Sequence, residues 1–246
     1  MKTLLVTSRV TFVPGNYDAL VAGLATCPQI GGLVVLDNRS AKLLSKAVGL
    51  ILLGAPRIGR TLLRNWFGPS ARRRRRAYAE TGKPAWTLPT VNSPDAVNLV
   101  REQGFDLVLN ARTRFIYKAD ILAAPRLGCI NIHHGLLPEQ RGTMCDLWAL
   151  FDRRPAGFSI HVMTPEVDAG PILAREQVSD GSDRDYPAYL LKSSRREREV
   201  VTALLESISR GGLPTGIANK ASPGLNMFRS PTFQQIRVIR RRGLKI

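Results

Sequence analysis

Two short apolar runs near the amino terminus fix the class of fold. Residues 3–7 read TLLVT and residues 31–36 read GGLVVL. Both are short, rich in aliphatic residues and bounded by turn residues, as buried strands are. Between them, residues 16–26 (NYDALVAGLAT) carry helical spacing behind Asn16 or Asp18, either of which can start a helix. Strand, helix and strand in so short a span make a right-handed crossover between parallel strands. The pattern recurs. Residues 84–110 read as strand, loop, helix and central strand, the helix started by Asn92 or Ser93 with Pro94 in its first turn and stopped by Gly104. A short helix over 118–124 leads to a strand at 129–132, and residues 171–173 and 175–178 read as antiparallel strands. A long helix over 183–209 has Leu190, Leu191, Val200, Val201, Leu204 and Leu205 as its expected buried stripe, and Gly211-Gly212 ends it. The expectation is an α/β chain with a Rossmann-like, mostly parallel sheet flanked by helices, and 246 residues suffice for one well-buried core.

Two stretches within that frame carry the polar chemistry. Residues 128–142 read GCINIHHGLLPEQRG, and residues 157–170 read GFSIHVMTPEVDAG. Together they hold all three histidines, His133, His134 and His161, with Asn131 and Asp168. Two apart on a strand, Asn131 and His133 face the same side. They lie at a strand's carboxyl end, where open α/β sheets bind ligands. Gly135 and Pro138 then mark a turn. Pro165 argues against a helix in the second stretch, and the turn around Asp168 aims a carboxylate inward. An Asn that donates to a developing oxyanion, a His that moves a proton and an Asp that tunes it make an acyl-transfer set. The same residues admit a plainer reading, with Asn131 satisfying loop backbone, His161 packed in the core and His134 solvated in the turn.

NIHHGLLPEQRG followed by SIHVMTPEVDAGPIL resembles the formyltransferase family, which includes glycinamide ribonucleotide, methionyl-tRNA and sugar N-formyltransferases. The family pattern is Asn-x-His-(Pro or Gly)-Ser-Leu-Leu-Pro, then a Gly, then a strand with His and a loop with Asp-x-Gly. Asn131, His133, Leu136, Leu137, Pro138, Arg141, Gly142, His161, Asp168 and Gly170 match, while His134 and Gly135 replace the commoner pair. The resemblance implies 10-formyltetrahydrofolate as formyl donor and a primary amine as acceptor. It gives Asn131 the task of polarising the formyl carbonyl and holding the oxyanion. It gives His133 a share in oxyanion stabilisation and proton transfer, and Asp168 the relay of the amine proton. It places the pterin against Thr113, Arg114, Phe115, Ile116 and Val167, and the acceptor near Arg141, Gly142 and Asp146. In the purine-pathway enzyme the loop after the first strand is Gly-rich and binds the substrate phosphate. Here that loop, SRVTFVPGN, has one glycine. This favours an amino sugar, nucleotide- or lipid-linked, over glycinamide ribonucleotide, with a tRNA-charged amine ranked next. Hydrolysis of the donor, with water replacing the amine, and a non-catalytic relative are the other readings.

Charge is distributed unevenly. Residues 39–76 hold 11 Lys and Arg and no acid, and residues 220–246 hold seven and no acid, leaving 18 bases against all 19 acids elsewhere. The whole net charge of +17 therefore sits in two segments, a localised footprint. Residues 39–83 read as an insertion. An apolar run at 47–55 is followed by Arg57, Arg60 and Arg64 among Ile58, Leu62, Leu63, Trp66 and Phe67, then by five consecutive arginines at 72–76. Nine apolar residues cannot cross a bilayer, which needs about 20. Three readings stand: a helix lying on an anionic membrane surface, a core helix followed by a solvated basic loop, and nucleic-acid contact through arginines with Trp66 stacking. The membrane surface ranks above nucleic acid because the apolar run adjoins the charge. The three cysteines, Cys27, Cys129 and Cys145, show no C-x-x-C and no His spacing for a metal, so the expectation is reduced, buried thiols and no metal site. With no signal peptide evident in residues 1–6, the expected location is cytoplasmic, with peripheral membrane contact. The expected organisation is a catalytic domain over 1–210, containing the insertion, and a short basic extension over 211–246.

Overall fold

The computed structural model describes residues 1–52, 56–220 and 227–246. Its strands are β1 (Thr3–Ser8), β2 (Ile30–Leu36), β3 (Ala85–Leu88), β4 (Leu107–Asn110), β5 (Cys129–His133), β6 (Ala156–Val162) and β7 (Ile172–Ser179). They form one seven-stranded sheet in the order β3-β2-β1-β4-β5-β6-β7. β1 to β5 pair in parallel, and β6 and β7 continue the sheet antiparallel. The two strands expected around 171–178 are one, β7. Alternate residues of β1 feed opposite faces, as strand geometry requires. Leu5 packs with Leu20, Leu24, Tyr78 and Leu205, whereas Leu4 and Val6 pack with Val97, Val100 and Ile121. Strand order reverses between β1 and β4, the position at whose carboxyl strand ends open α/β sheets place ligands.

The first helical segment departs from the expected regular helix. It begins as α1 (Pro14–Tyr17), widens over Asp18–Ala22 and tightens over Gly23–Thr26. Asn16 lies inside the first turn. Asp18 does not cap, because its carboxylate is taken by the Ser70 hydroxyl at 2.8 Å and lies 3.5 Å from Arg74.

The segment 39–83, expected as an insertion, forms three helices between β2 and β3: α2 (Ala41–Leu52), α3 (Pro56–Phe67) and α4 (Ser70–Glu80). Residues 53–55, which end the apolar run, lie outside the described residues. The five arginines are helical rather than a solvated loop, and their roles divide. Arg74 has no exposed surface, while Arg72, Arg73, Arg75 and Arg76 face solvent. Its guanidinium donates to the Ser8 carbonyl at 2.9 Å and the Arg9 carbonyl at 3.0 Å. Asn65 donates to the Thr11 carbonyl at 2.5 Å, and Asn38 brackets Val10 through its N–H and C=O. The loop after β1 is thus tied down by Asn38, which follows β2, and by side chains of α3 and α4. Arg74→Met strands two buried carbonyls and is expected to cost about 2–4 kcal/mol. Arg73→Met is expected to stay within about 0.5 kcal/mol. Urea unfolding of the two variants checks the contrast, and equal costs would contradict the division.

α5 (Pro94–Glu102) is capped by Ser93, as expected, and α6 (Ala119–Leu122) and α7 (Cys145–Phe151) lead into and out of β5. α8 spans Tyr186–Gly211 and is capped by Asp185. Its buried stripe is corrected. Leu190, Val201 and Leu205 are buried, but Leu191 is exposed, and Tyr186, Tyr189, Ser193, Ser194, Glu197 and Ile208 complete the stripe. The polar members face a buried ion cluster described below. The tail holds a further helix, α9 (Phe233–Arg241), started by a reciprocal Thr232–Gln235 capping box. All three cysteines are buried free thiols.

Candidate active site

The site is built on a row of side chains that strand register lines up. Asn110 on β4 pairs with Asn131 on β5, and Asn131 pairs with His161 on β6. Neighbouring residues in register share a face, so their side chains meet. Asn110 Nδ2 donates to Asn131 Oδ1 at 2.9 Å, and Asn131 Nδ2 lies 3.1 Å from His161 Nε2. His161 Nδ1 lies 2.9 Å from the Val162 carbonyl, which can only accept. The ring proton is therefore on Nδ1, and Nε2 accepts from Asn131. This relay fixes the Asn131 amide orientation and takes one of its two N–H groups, leaving the other for a ligand.

His133 is two residues further along the same strand. Its Nε2 lies 2.6 Å from the Gln140 carbonyl, so the neutral ring carries its proton there. Nδ1 is then the lone pair, and it faces Asp168 Oδ1 at 3.5 Å. The same Asp168 oxygen is 3.6 Å from His161 Nε2, while Oδ2 accepts from the Gly142 N–H at 3.1 Å. Asp168 adopts a left-handed backbone with φ 52°, a conformation Asp tolerates better than most residues. Its carbonyl and that of Gly170 both accept from the Asn219 amide at 2.9 Å. Burial pushes the His133 imidazole below its ordinary value, and Asp168 with the Gln140 carbonyl offsets only part of that. Burial also pushes the Asp168 carboxyl up, but His161, His133 and the Gly142 N–H outweigh it and hold the group below the usual carboxylate range. The pair rests as neutral imidazole and carboxylate.

Small residues make this geometry possible. A Cβ on Gly135 would sit 2.5 Å from the Gln140 carbonyl and 2.7 Å from His133 Nε2. Gly142, at φ 106°, would place a Cβ 2.2 Å from the Phe228 carbonyl, with which it forms a backbone bridge. Ser159, opposite His133 in register, clamps the turn by donating to the Gly135 carbonyl at 2.8 Å and accepting from the Leu137 N–H at 3.0 Å.

The structure brings Asn131, His133 and Asp168 together and treats the other expected residues differently. Arg141 is engaged, with Nη2 donating to the Asn219 carbonyl at 2.7 Å, and so supports the Asp168 loop. The Gly142 N–H is spent on Asp168. Asp146 is corrected: it has no exposed surface and does not face an acceptor. Its Oδ1 accepts from the Tyr186 hydroxyl at 2.9 Å, and its Oδ2 lies 2.9 Å from His134 Nδ1. Among the expected pterin contacts, Ile116 and Val167 are exposed apolar side chains, 67% and 44% accessible, and Arg114 is exposed beside Ser230. The Thr113 N–H donates to Asn110 Oδ1. Phe115 instead packs on the cluster containing Tyr117, Ile121 and Cys129.

His134 is not a solvated turn residue either. Its Nε2 lies 3.1 Å from Glu197 Oε1, so its ring is held between two carboxylates that have no exposed surface. Glu197 also binds Arg112 and accepts from Ser193 at 2.7 Å. Two ring nitrogens facing two carboxylates favour the doubly protonated imidazolium. Burial and Arg112 oppose that charge, but Asp146 and Glu197 outweigh them and raise His134 above its ordinary value. Burial likewise works against the Glu197 carboxylate, yet Arg112 and His134 bring it down to about 2. The cluster joins the ends of β4 and β5 to α7 and α8, the elements that surround the site.

Asn110, Gln140, Ser159, Asn219, Arg112 and Glu197 were not singled out from sequence. Only Asn110 left a trace, as a polar residue closing an apolar strand run at a carboxyl end.

Comparison with known proteins is consistent with this geometry. Residues 69–200 match the family described as formyl transferase. A methionyl-tRNA formyltransferase from Geobacter metallireducens is 30% identical over 135 residues, covering 54% of this chain and 43% of that protein. The chain thus matches less than half the length of such curated relatives. Among solved structures, phosphoribosylglycinamide formyltransferase from Anaplasma phagocytophilum superposes with a TM-score of 0.61 at 17% identity, covering 94% of this chain and 99% of that one. A sugar N-formyltransferase from Shewanella sp. gives 0.54 at 16% identity, covering 98% of this chain and 88% of that one. At these identities the structural likenesses bear on the fold alone.

Proposed function

The chain belongs to the formyl transferase family, and from that premise we propose that it moves a formyl group from 10-formyltetrahydrofolate to a primary amine. The observation that carries this reading is the convergence of Asn131, His133 and Asp168 at the carboxyl end of β5. The donor supplies a formyl group on a nitrogen able to leave. The chain supplies the rest. The remaining N–H of Asn131 donates to the carbonyl oxygen as charge builds there, an interaction worth about 10²–10³ in rate. The attacking amine sheds one proton as its nitrogen bonds to the formyl carbon. His133 Nδ1 and Asp168 Oδ1 are two acceptors facing each other with no proton between them, so together they take it. The departing nitrogen takes a proton back when its bond to carbon breaks. Because Nε2–H stays on the Gln140 carbonyl, the His133 ring accepts without turning. Ile116 and Val167 offer the apolar contact a pterin would cover.

The acceptor is read as an amino sugar, nucleotide- or lipid-linked. In support, the loop after β1 has one glycine, and its backbone is held by Arg74, Asn65 and Asn38. A phosphate cradle needs free, glycine-rich backbone N–H groups there. The test is a panel of primary amines incubated with the donor and followed by mass spectrometry. Formylated amino sugar is the expected product. Donor loss at the same rate without any amine would mark a hydrolase instead.

The pH profile follows from the same pair. His133 lies below the ordinary imidazole value of about 6.5, and Asp168 stays ionised well into acid. As pH falls, the proton slot fills from solvent. With the amine saturating, kcat is expected to be flat from neutral into mildly acidic pH and to drop in stronger acid. A rise on acidification would contradict the proton-acceptor role.

A further inference from the structure

The charge of this chain forms a surface that the proposed chemistry does not use. Residues 39–76 and 220–246, which hold the whole excess of basic residues, lie far apart in sequence. The fold packs α2 and α3 of the first against α9 of the second. Ala47 and Leu50 of α2 and Ile58 and Leu62 of α3 share one apolar cluster with Ile236 and Ile239 of α9 and with Leu244 and Ile246. A Cβ placed on Gly49 of α2 would lie 3.6 Å from the Phe233 ring of α9. α2, α3 and α9 therefore build one flank. The residues of that cluster face inward, and Arg57, Arg60, Arg64, Arg241 and Arg242 are exposed.

Apolar side chains accompany the exposed arginines. Leu52 is 77% accessible, Phe67 74%, and Val48 and Val238 43% each. A flank made only for solubility would not expose large aliphatic groups among its charges. The combination also separates two anionic partners. Single-stranded nucleic acid is gripped by arginines together with aromatic rings on which bases stack. The Trp66 ring, the residue suited to that task, is partly buried against the apolar cluster. Of the exposed apolar side chains on these helices, Val48, Leu52 and Val238 are aliphatic and give bases no stacking platform, whereas all of them, with Phe67 and Phe233, can enter a lipid interface. Among the described residues no helix is long and apolar enough to cross a membrane, so the contact would be peripheral.

We propose that the flank formed by α2, α3 and α9 docks on an anionic membrane surface, its arginines on lipid phosphates and its exposed apolar side chains in the headgroup layer. The inference stands on this flank alone and is independent of the proposed reaction. A membrane-docked enzyme would meet a lipid-linked acceptor in two dimensions.

The test is co-sedimentation of the full chain with phosphatidylcholine vesicles, with and without phosphatidylserine. Binding is expected only with phosphatidylserine and should be lost in high salt. The triple variant Leu52→Ser, Val48→Ser, Val238→Ser keeps the net charge and is expected to weaken binding at least about tenfold, since each buried methylene contributes to interfacial affinity. Arg57, Arg60 and Arg64 changed together to Gln should also lose binding. All these side chains are exposed, so an unchanged thermal melt is expected and shows that the fold survives. Absence of vesicle binding, equal binding to neutral vesicles, or salt-sensitive binding to single-stranded RNA that the serine variant retains while vesicles are ignored would each overturn the proposal.

Discussion

Asp168→Asn is expected to lower formyl transfer by about 10²–10⁴-fold, the range for a lost general base, with the fold retained. Asn is chosen because Asp168 sits at φ 52°, where Ala would add backbone strain to the lost carboxylate. Asn tolerates the left-handed region, and its carbonyl oxygen still accepts from the Gly142 N–H. What it removes is the charge opposite His133 Nδ1. The slot between the two groups then holds a donor or a neutral oxygen, and the amine's proton has no anionic acceptor. The loss should fall on kcat more than on KM, because the carboxylate acts as the proton moves. A variant within about threefold of the parent would show that the imidazole alone suffices and that Asp168 only shapes the loop.

Arg112→Met is expected to cost about 3–5 kcal/mol of stability, because it leaves two buried carboxylates, Glu197 and Asp146, to share the one His134 imidazolium. Glu197 has no exposed surface and Arg112 only 6%, so solvent replaces little of what is lost. A typical domain has about 5–15 kcal/mol in total, so the variant should unfold near ambient temperature. Glu197→Gln on the same background should recover much of the loss, since it removes the stranded charge; no recovery would place the cost elsewhere. The pH dependence has a definite sign. Glu197 is held at about 2 in the folded state, below an unfolded carboxyl near 4.3. Its contribution is present above the unfolded value and is lost as pH falls through the folded one. The stability gap between parent and Arg112→Met, read from urea midpoints, should therefore narrow in acid. A gap that widens there would contradict the ion-cluster reading.

The two kinds of residue differ in how far sequence reveals them. Asn131 and His133 are legible because a strand alternates faces, so their spacing alone sets them side by side. Asp168 is less legible, since a loop has no period and only the turn residues beside it mark its place. The ion cluster was opaque for a physical reason. Arg112, His134, Asp146 and Glu197 are residue types that usually face solvent, and each is buried only because the others, 12 to 85 residues away along the chain, arrive to pair it. The same holds for Arg74, indistinguishable in sequence from its four basic neighbours, yet placed by helical rotation against the carbonyls of the first loop. α9 was missed although Thr232 and Gln235 spell a capping box, because its apolar positions, Ile236 and Ile239, are few and set among arginines. The sheet was legible almost throughout, since β1, β2 and β4 are buried on both faces and can only be apolar.

One measurement bears most directly on whether Asn131, His133 and Asp168 act as one formyl-transfer site. The carbon of the donor's formyl group is isotopically labelled, and its fate is followed in a single turnover with an amino sugar present. The parent chain, Asn131→Ala, Asp168→Asn and the double variant are compared. The expected result is label on the sugar nitrogen with the parent, loss in each single variant, and a double variant scarcely worse than the weaker single, as for groups serving one step. Label released as formate whether or not the amine is present, or a double variant that transfers as well as the parent, would contradict it.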